Sequence, residues 1–436
     1  MANGTNGLRT FSLGLQHVLA MYAGAILVPL IVGRALELSA EQLAYLVAID
    51  LLSCGVATLL QLWRGKHIGI GLPVMLGVSF VAVTPMISIG TNYGVTAIYG
   101  SILVAGLFVV IFARFFGKLQ KLFPPIVRGT VVTIIGLSLI PTGIRNMAGG
   151  EGSENFGSLF NLLLSVGVLA VIILLFRMFT GFMRSLAVLI GIAGGTIAAA
   201  VMGRVSFGEV MEASWFHFPQ PLYFGMPTFE IGPIITMIIV CSVIVVETTG
   251  AYYAVARITD RELNEDDLVR GYRSEGLAVI IGGLFNAFPY STFAQNVGLL
   301  ELSKVKTRNV IFSAAMTLIV LGLIPKVAAL VVIIPTPVLG GATVVMFGMV
   351  VVAGLQMLRD VDFNEQSNQL VVACSVSLAL GATVVPELFS SLPEGLAIIF
   401  GDGIITGSLA AIFINLLFNT QWKGEHVYNE EKQSKA

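Results

Sequence analysis

Long apolar segments follow one another along almost the whole of this 436-residue chain, and few charges interrupt them. Hydrophobic residues make up 56% of the sequence and charged residues only 11%. A soluble domain carries about 25% charged residues. A water-facing protein cannot bury so much apolar surface, but a lipid bilayer can solvate it. We therefore expect an all-α polytopic membrane protein.

The apolar segments can be counted as membrane spans. A helix that crosses a bilayer needs about 17–25 mostly apolar residues. The glycine-rich stretch 271–303 is interrupted at Pro289, and we interpret it as two spans. The sequence then predicts fourteen spans, near residues 11–33, 43–63, 68–90, 95–113, 126–144, 159–179, 185–203, 231–256, 271–286, 288–303, 308–325, 335–357, 369–386 and 393–418.

The distribution of Lys and Arg supports this count, because cytoplasmic loops are enriched in basic residues. With the N-terminus inside and fourteen crossings, the 24 Lys and Arg residues all fall in cytoplasmic loops except Arg34, Arg145, Arg204 and Lys326. A single span over 271–303 would invert every later loop and remove this asymmetry. We therefore predict a multi-pass protein of the cytoplasmic cell membrane, with both termini in the cytoplasm.

Fourteen spans divide into two halves of seven, residues 1–230 and 231–436. An odd number of spans per half gives the two halves opposite orientations, as in the inverted repeats of many secondary transporters. The sequence therefore predicts a first seven-span repeat and a second, inverted one.

Two spans at matching places in the halves are interrupted by proline. The third contains GIGLPVMLGVSF and the tenth contains NAFPYSTFAQN; a polar residue follows each proline by six positions, Ser79 after Pro73 and Gln295 after Pro289. Proline removes a backbone donor and disfavours helix just before it. Non-helical backbone at membrane depth is tolerated only where protein buries it or where it lines a cavity. We predict short strands that break spans 3 and 10 beside such a cavity, with ordinary proline kinks as the alternative.

Several polar side chains lie inside the predicted spans. Placing a polar group there costs free energy, so such residues are taken as functional by default. Glu247 lies deep in the eighth span, so its carboxyl group must be protonated, paired or ligand-bound. Glu275 lies in the ninth span nearer its cytoplasmic end, where a structural partner is an equal alternative. Gln295 and Asn296 follow the tenth-span break and favour ligand binding, and His17 in the first span could either bind ligand or hold helices together.

Other classes of function lack their motifs. No HExxH, GxSxG or paired catalytic aspartates occur, and no Walker A sequence is present, so we expect neither an enzyme nor an ATP-driven pump. The net charge of −1 gives no reason to expect nucleic-acid binding, and we expect no cofactor and no metal. Uphill transport would then draw on an ion gradient, and a buried Glu makes H⁺ the natural ion.

Three sequence stretches resemble the nucleobase–ascorbate (nucleobase:cation symporter-2) transporters: QHVLAM at 16–21, ETTG at 247–250 and QNVGLLELSKVKTR at 295–308. The tenth-span signature of that family is Q/E/P-N-x-G-x-x-x-x-T-R/K/G. The sequence matches it at Gln295, Asn296, Gly298 and Lys304, with Ser303 in place of Thr. The resemblance covers essentially the whole chain. Within the family, YLVAIDLLSCGVATLLQLW and NMAGGEGS are most similar to the bacterial xanthine permeases.

The resemblance implies an architecture and a transport cycle. Spans 1–4 and 8–11 would form a core domain, and spans 5–7 and 12–14 a gate domain through which a homodimer forms. The core would move past the gate in an elevator-type alternating-access cycle. The cargo would be a small purine base, with xanthine expected in this branch of the family, carried together with H⁺.

The resemblance also implies a binding site between the two broken spans. Glu247 would bind ring N–H groups, and Gln295 would bind the opposite edge of the base. Members with Gln at the latter position take xanthine or urate, and those with Glu take uracil. Backbone N–H groups near Ser79, Phe80 and Ala294 would complete the hydrogen bonding, and the Phe80 ring could stack on the base. Asn296 and His17 complete the predicted binding residues.

One departure from the family concerns proton coupling. Many relatives carry Asp or His four residues after the eighth-span Glu, where this chain has Ala251. Glu247 and Glu275 are therefore the candidate proton sites. The alternatives are a urate or uracil symporter and, in a different class, an anion exchanger or channel of the same architecture. The latter needs a cationic site, and no Lys or Arg stands beside the third or tenth span break.

Overall fold

Helices account for almost all the apolar segments, because backbone in a bilayer must satisfy its hydrogen bonds without water. The computed structural model describes residues 7–119, 123–303, 305–359 and 361–419, apart from the side chains of residues 119, 209, 294, 302 and 394. Lys304 and both chain termini, which enter the predictions above, lie outside these residues. The helices are α1 (Gly7–Ala35), α2 (Ala40–Leu62), α3 (Val83–Tyr93), α4 (Val95–Leu119), α5 (Pro125–Met147), α6 (Leu159–Met178), α7 (Phe182–Ser185), α8 (Ala187–Val201), α9 (Gly208–Glu212), α10 (Ile231–Ile258), α11 (Glu265–Leu284), α12 (Ala294–Ser303), α13 (Arg308–Gly322), α14 (Pro325–Val332), α15 (Thr336–Met357), α16 (Gln366–Val384), α17 (Glu394–Gly401) and α18 (Gly403–Asn419), with 3₁₀ turns at Phe80–Ala82 and Pro386–Phe389 and strands β1 (Leu76–Val78) and β2 (Tyr290–Thr292).

The prediction of a polytopic helical membrane protein is confirmed. Within the described ranges, 8 helices are long and apolar enough to cross a bilayer, and 10 spans result if each of two bent helix pairs forms one. Other predicted spans have helical counterparts that are short, broken or charged at one end, such as the 15-residue α8 and the acidic start of α11. Fourteen crossings therefore remain a prediction.

Two predicted spans are bent rather than straight. The predicted span 308–325 ends early at Gly322, and α14 leaves it at an angle of 79°, beginning with Pro325, which supplies no backbone N–H. The predicted span 393–418 divides into α17 and α18 at an angle of 77°. At that bend the Asp402 carboxylate accepts a hydrogen bond from the Ile405 amide at 2.8 Å and so caps the first turn of α18.

The helices pack in pairs that an inverted repeat would exchange. Helix α4 packs along α11, and α2 packs along α13. In the predicted numbering these are spans 4 with 9 and spans 2 with 11, and each pair becomes the other when the two halves are exchanged. Helix α5 packs along α15. These are spans 5 and 12, which occupy equivalent positions in the two halves, so exchanging the halves leaves this pair unchanged. Division into the predicted core and gate domains stays a prediction.

The two predicted breaks are confirmed as short strands that pair with each other. Strands β1 and β2 are antiparallel, with Gly77 opposite Ser291 at the centre, and every residue of both is buried. The pairing extends one hydrogen bond beyond each end, from the Ser79 amide to the Pro289 carbonyl at 2.8 Å and from the Phe293 amide to the Met75 carbonyl at 3.0 Å. The backbone N–H and C=O groups at each break are therefore hydrogen-bonded to backbone from the other half of the chain.

The interface of α5 and α15 depends on glycine. A Cβ at Gly354 would overlap the backbone and the side chain of Thr133, so the two helices approach only because this position has no side chain. Gly348, on the same helix, would direct a Cβ into open space. The two glycines therefore differ in what a methyl group would meet, although both occupy α15.

We expect Gly354→Ala to lower the unfolding temperature in detergent, because overpacking of a close helix contact costs about 1–3 kcal/mol. The matched variant Gly348→Ala should leave it unchanged or raise it, because Ala exceeds Gly in helix stability by about 0.5–1 kcal/mol. Thermal unfolding of both purified variants measures the difference. Equal effects of the two substitutions would contradict the close packing of α5 on α15.

Candidate substrate site

A cavity of about 390 Å³ lies beside the paired strands. One wall comes from α1, the 3₁₀ turn after β1, α10, β2 and α12, and the facing wall from α5, α6, α7, α8 and α15. Glu247, Gln295 and Phe80 line it, as do Ser291 and Thr292 of β2. Three of the predicted site residues are therefore brought together from three separate parts of the chain.

Glu247 lies beside hydroxyl groups from both strand segments. The residue is half-buried, and the side chains of Ser291, in β2, and Ser79, directly after β1, are close to its carboxyl group. Its second oxygen, Oε2, has no hydrogen-bond partner within the described part of the chain. A buried carboxyl oxygen without a partner is costly unless a ligand or a proton completes it. Glu247 thus lines the cavity with one carboxyl oxygen that has no protein partner among the described residues.

Gln295 and Asn296 are neighbours at the start of α12 with different surroundings. Gln295 is half-buried and lines the cavity. Asn296 is buried, and its Nδ2 lies 3.0 Å from the carbonyl oxygen of His17, to which it donates, and 3.1 Å from the His17 Nδ1. Neither Asn296 nor His17 is among the residues that line the cavity. The geometry matches the helix-holding alternative for His17, and the binding roles of both residues stay predictions.

Two phenylalanines enclose the inner end of the cavity. The ring centroids of Phe80 and Phe293 are 6.2 Å apart, and Phe347 of α15 meets Phe80 edge-on at 5.6 Å. The Phe293 ring occupies space that a Cβ at Gly77 or Gly24 would fill, so strand and helix α1 both need glycine there. Phe80 and Phe293 provide aromatic surface for a flat ring, while stacking of the base on Phe80 stays a prediction.

The remaining predicted residues lie around this centre. Glu275 does not line the cavity; its Oε1 accepts a hydrogen bond from Thr248 at 2.8 Å, which is the structural partner considered above. Ala294 begins α12 at the end of the strand segment. Ala251 lines the cavity one helical turn after Glu247, so the position where relatives carry Asp or His faces the same space.

Several cavity residues have no signal in the local sequence. Arg184 and Gln356 come from the facing wall, on α7 and α15, far along the chain from either break. Thr292 lies in β2, and its Oγ1 is buried without a partner among the described residues. Only the pairing of distant helices brings these side chains to Glu247, and a composition or spacing pattern cannot show that.

Two further observations limit what the site can hold. Among the described residues no cluster of His, Cys, Asp or Glu could hold a metal ion. A larger cavity of about 530 Å³ lies between α2, α14 and the segment 212–223, and it contains none of the predicted site residues. The predicted site residues that share a cavity are therefore those beside the paired strands.

We expect Asn296→Ala to lower the unfolding temperature, because it leaves the His17 carbonyl without its donor at a cost of about 1–3 kcal/mol. Its neighbour supplies the control: Gln295→Ala should leave the unfolding temperature unchanged while reducing transport. Thermal unfolding and uptake measured on the same preparations separate the two effects. Loss of transport at full stability in Asn296→Ala would instead favour direct binding by that residue.

Comparison with known proteins agrees with this geometry. A family model described as a permease family matches residues 8–388. The uric acid permease PucJ of Bacillus subtilis is 63% identical over 96% of this chain and 94% of its own length. The xanthine permease of the same organism is 54% identical over 97% of this chain and 96% of its own length. The chain therefore belongs to the nucleobase–ascorbate transporter family of membrane permeases.

A solved structure shares the fold at much lower sequence similarity. The murine anion transporter Slc26a9, in its inward-facing state, superposes with a TM-score of 0.63 and 13% identity, over 97% of this chain and 70% of that chain. This likeness confirms the architecture of the helices and carries no conclusion about cargo.

Proposed function

We propose that the chain is a proton-coupled symporter of oxidised purine bases, with xanthine and urate as its substrates. The observation that carries the proposal is the convergence of Glu247, with its unpartnered Oε2, and Gln295 on one cavity beside the paired strands. Two relatives support the substrate class, because PucJ is named a uric acid permease and a second relative a xanthine permease.

The chemistry of these two side chains suits an oxidised purine. A carboxyl group accepts from ring N–H groups, and a carboxamide both donates and accepts, which matches alternating carbonyl and N–H groups along the edge of such a base. The Phe80 and Phe293 side chains add aromatic surface for the ring. The hydroxyl groups of Ser291 and Thr292 lie in the same wall and offer further hydrogen bonds. Hydrogen-bonded polar sites discriminate strongly against ligands that leave buried groups unpaired.

Glu247 is also the proposed proton site. It is the sole acidic side chain among the cavity residues that the structure describes, so protonation and substrate binding would share one group. Glu275 lies behind it, bonded to Thr248, and would act as a second site on the proton route. A charged carboxylate is unfavourable within the membrane, and a proton on Glu247 removes that charge. Because the same group would bind the base, uptake of the base would be linked to uptake of H⁺.

An elevator-type cycle fits the division of the cavity walls. The paired strands, α10 and α12 form one wall, and α5 to α8 with α15 form the other, so relative sliding of the two sets would carry the site across the bilayer. We include in the proposal the core and gate domains, a homodimer through the gate domains, and cytoplasmic termini. The asymmetric distribution of Lys and Arg supports the last of these.

We expect proteoliposomes containing the purified chain to take up labelled xanthine and labelled urate, and uptake to rise with an inward proton gradient. Unlabelled urate and xanthine should compete with each other, and uracil should compete poorly. Glu247→Gln should abolish the response to the gradient, and Gln295→Glu should weaken uptake of both purines.

Empty liposomes and liposomes without a gradient are the controls. Uptake of xanthine and urate at the level of empty liposomes would overturn the substrate assignment. Efficient competition by uracil would favour the pyrimidine alternative. Unchanged kinetics in Gln295→Glu would remove that residue from the binding site, and an intact gradient response in Glu247→Gln would remove Glu247 from proton coupling.

A further inference from the structure

Arg184 brings a positive charge to the cavity that Glu247 also lines. It lies on α7, a helix of one turn that follows Gly181, whose φ of 61° is readily adopted only by glycine. Helix α7 contacts α1 and α12, the helix that carries Gln295. Arg184 therefore shares the cavity with the proposed binding groups although it lies far from both broken spans in the sequence.

The local backbone orients the Arg184 side chain. Its Nε donates a hydrogen bond to the carbonyl oxygen of Phe179 at 3.1 Å, which ties the guanidinium group to the turn before α7. The two terminal nitrogens have no ion-pair partner within the described ranges, and the residue is exposed. A planar guanidinium held at one edge retains donors for an anionic ligand.

Glu247 alone can balance the charge of Arg184 among the described residues that line the cavity. Among the described residues that line it, Arg184 is the sole Lys or Arg, and Glu247 is the sole Asp or Glu. When Glu247 carries the transported proton, the lining is net positive by one charge. Gln356 and Ser185 stand in the same wall and are neutral. An anionic base would then restore neutrality, whereas a neutral base would not.

The two proposed substrates differ in this property. Uric acid loses a proton below neutral pH and is a monoanion in mildly acidic to neutral water, whereas xanthine remains mostly neutral in mildly acidic water. An exposed cation attracts an anion by up to about 1 kcal/mol, an effect that salt weakens. The two bases share the edge of the six-membered ring, and they differ at the five-membered ring, where uric acid has a C8 carbonyl and an additional N–H.

We infer that Arg184 is a specificity-determining residue that favours the anionic purine urate over neutral xanthine from within the cavity that it shares with Glu247. The inference rests on the proposed purine transport. It accounts for a cationic group in a cavity whose two breaks carry none, and it does not require any change in the contacts of Glu247 or Gln295.

The test compares KM values for urate and xanthine at mildly acidic pH in proteoliposomes. Arg184→Gln should raise the KM for urate by roughly three- to fivefold, the range of an exposed ion pair, and leave that for xanthine unchanged. Arg184→Lys should keep most of the urate preference. Added salt should weaken urate uptake by the wild-type chain and have little effect on Arg184→Gln. The matched control is Arg177→Gln, an exposed arginine on the neighbouring helix α6 that does not line the cavity.

Two failures are distinguishable. If the wild-type chain takes up neither purine, the proposed function fails. If it takes up both and Arg184→Gln changes the two KM values equally, or changes neither, the specificity role of Arg184 is overturned while the proposed function stands. A urate-specific loss in Arg177→Gln as large as that in Arg184→Gln would also overturn it, because the effect would then be one of general surface charge.

Discussion

The centre of the candidate site depends on the pairing of β1 with β2. Backbone that leaves a helix at membrane depth exposes amide and carbonyl groups that water cannot satisfy. Each strand satisfies the other in an antiparallel register centred on Gly77 and Ser291, and the bonds at Ser79 and Phe293 extend it. The two halves of the chain are therefore joined where their helices are broken. Without the other strand, each break would leave backbone hydrogen-bonding groups unsatisfied.

The same pairing places the side chains. Because Ser79 follows β1 and Ser291 lies in β2, both reach Glu247 only when the strands are in register. A slip by one residue would turn Ser291 to the other face and leave the carboxyl group unsatisfied. Helix α12 starts directly after this segment, and Asn296 anchors it to α1 through His17 while Gln295 is left for the cavity. The main-chain hydrogen bonds between the strands thus fix the geometry of the site. A few side chains in and beside the strands supply its hydrogen-bonding groups.

Much of this could be predicted from the sequence, and particular residues show where prediction stopped. The apolar segments and prolines predict a helical membrane protein with two broken spans, and depth within a span predicts Glu247. The prolines do not mark equivalent positions, however: β2 follows Pro289 directly, whereas Val74 and Met75 separate Pro73 from β1. The bends before α14 and α18 depend on local capping, and polarity alone could not separate Asn296, which holds a helix, from Gln295, which faces the cavity. Arg184 and Gln356 depend on packing between distant helices, which a single sequence does not encode in any local pattern.

The central claim is that a purine binds in the cavity between the paired strands and α15, and labelling of a cysteine there tests it most directly. Gly298 lines the cavity on α12, is exposed, and has open space for a side chain. Of the native thiols, Cys54 and Cys241 are buried and Cys374 is exposed, so Gly298→Cys is introduced together with Cys374→Ser. The rate of maleimide labelling is then measured with and without saturating urate or xanthine. The account predicts that either purine slows labelling and uracil does not. An unchanged labelling rate in a variant that still transports the purine would contradict it.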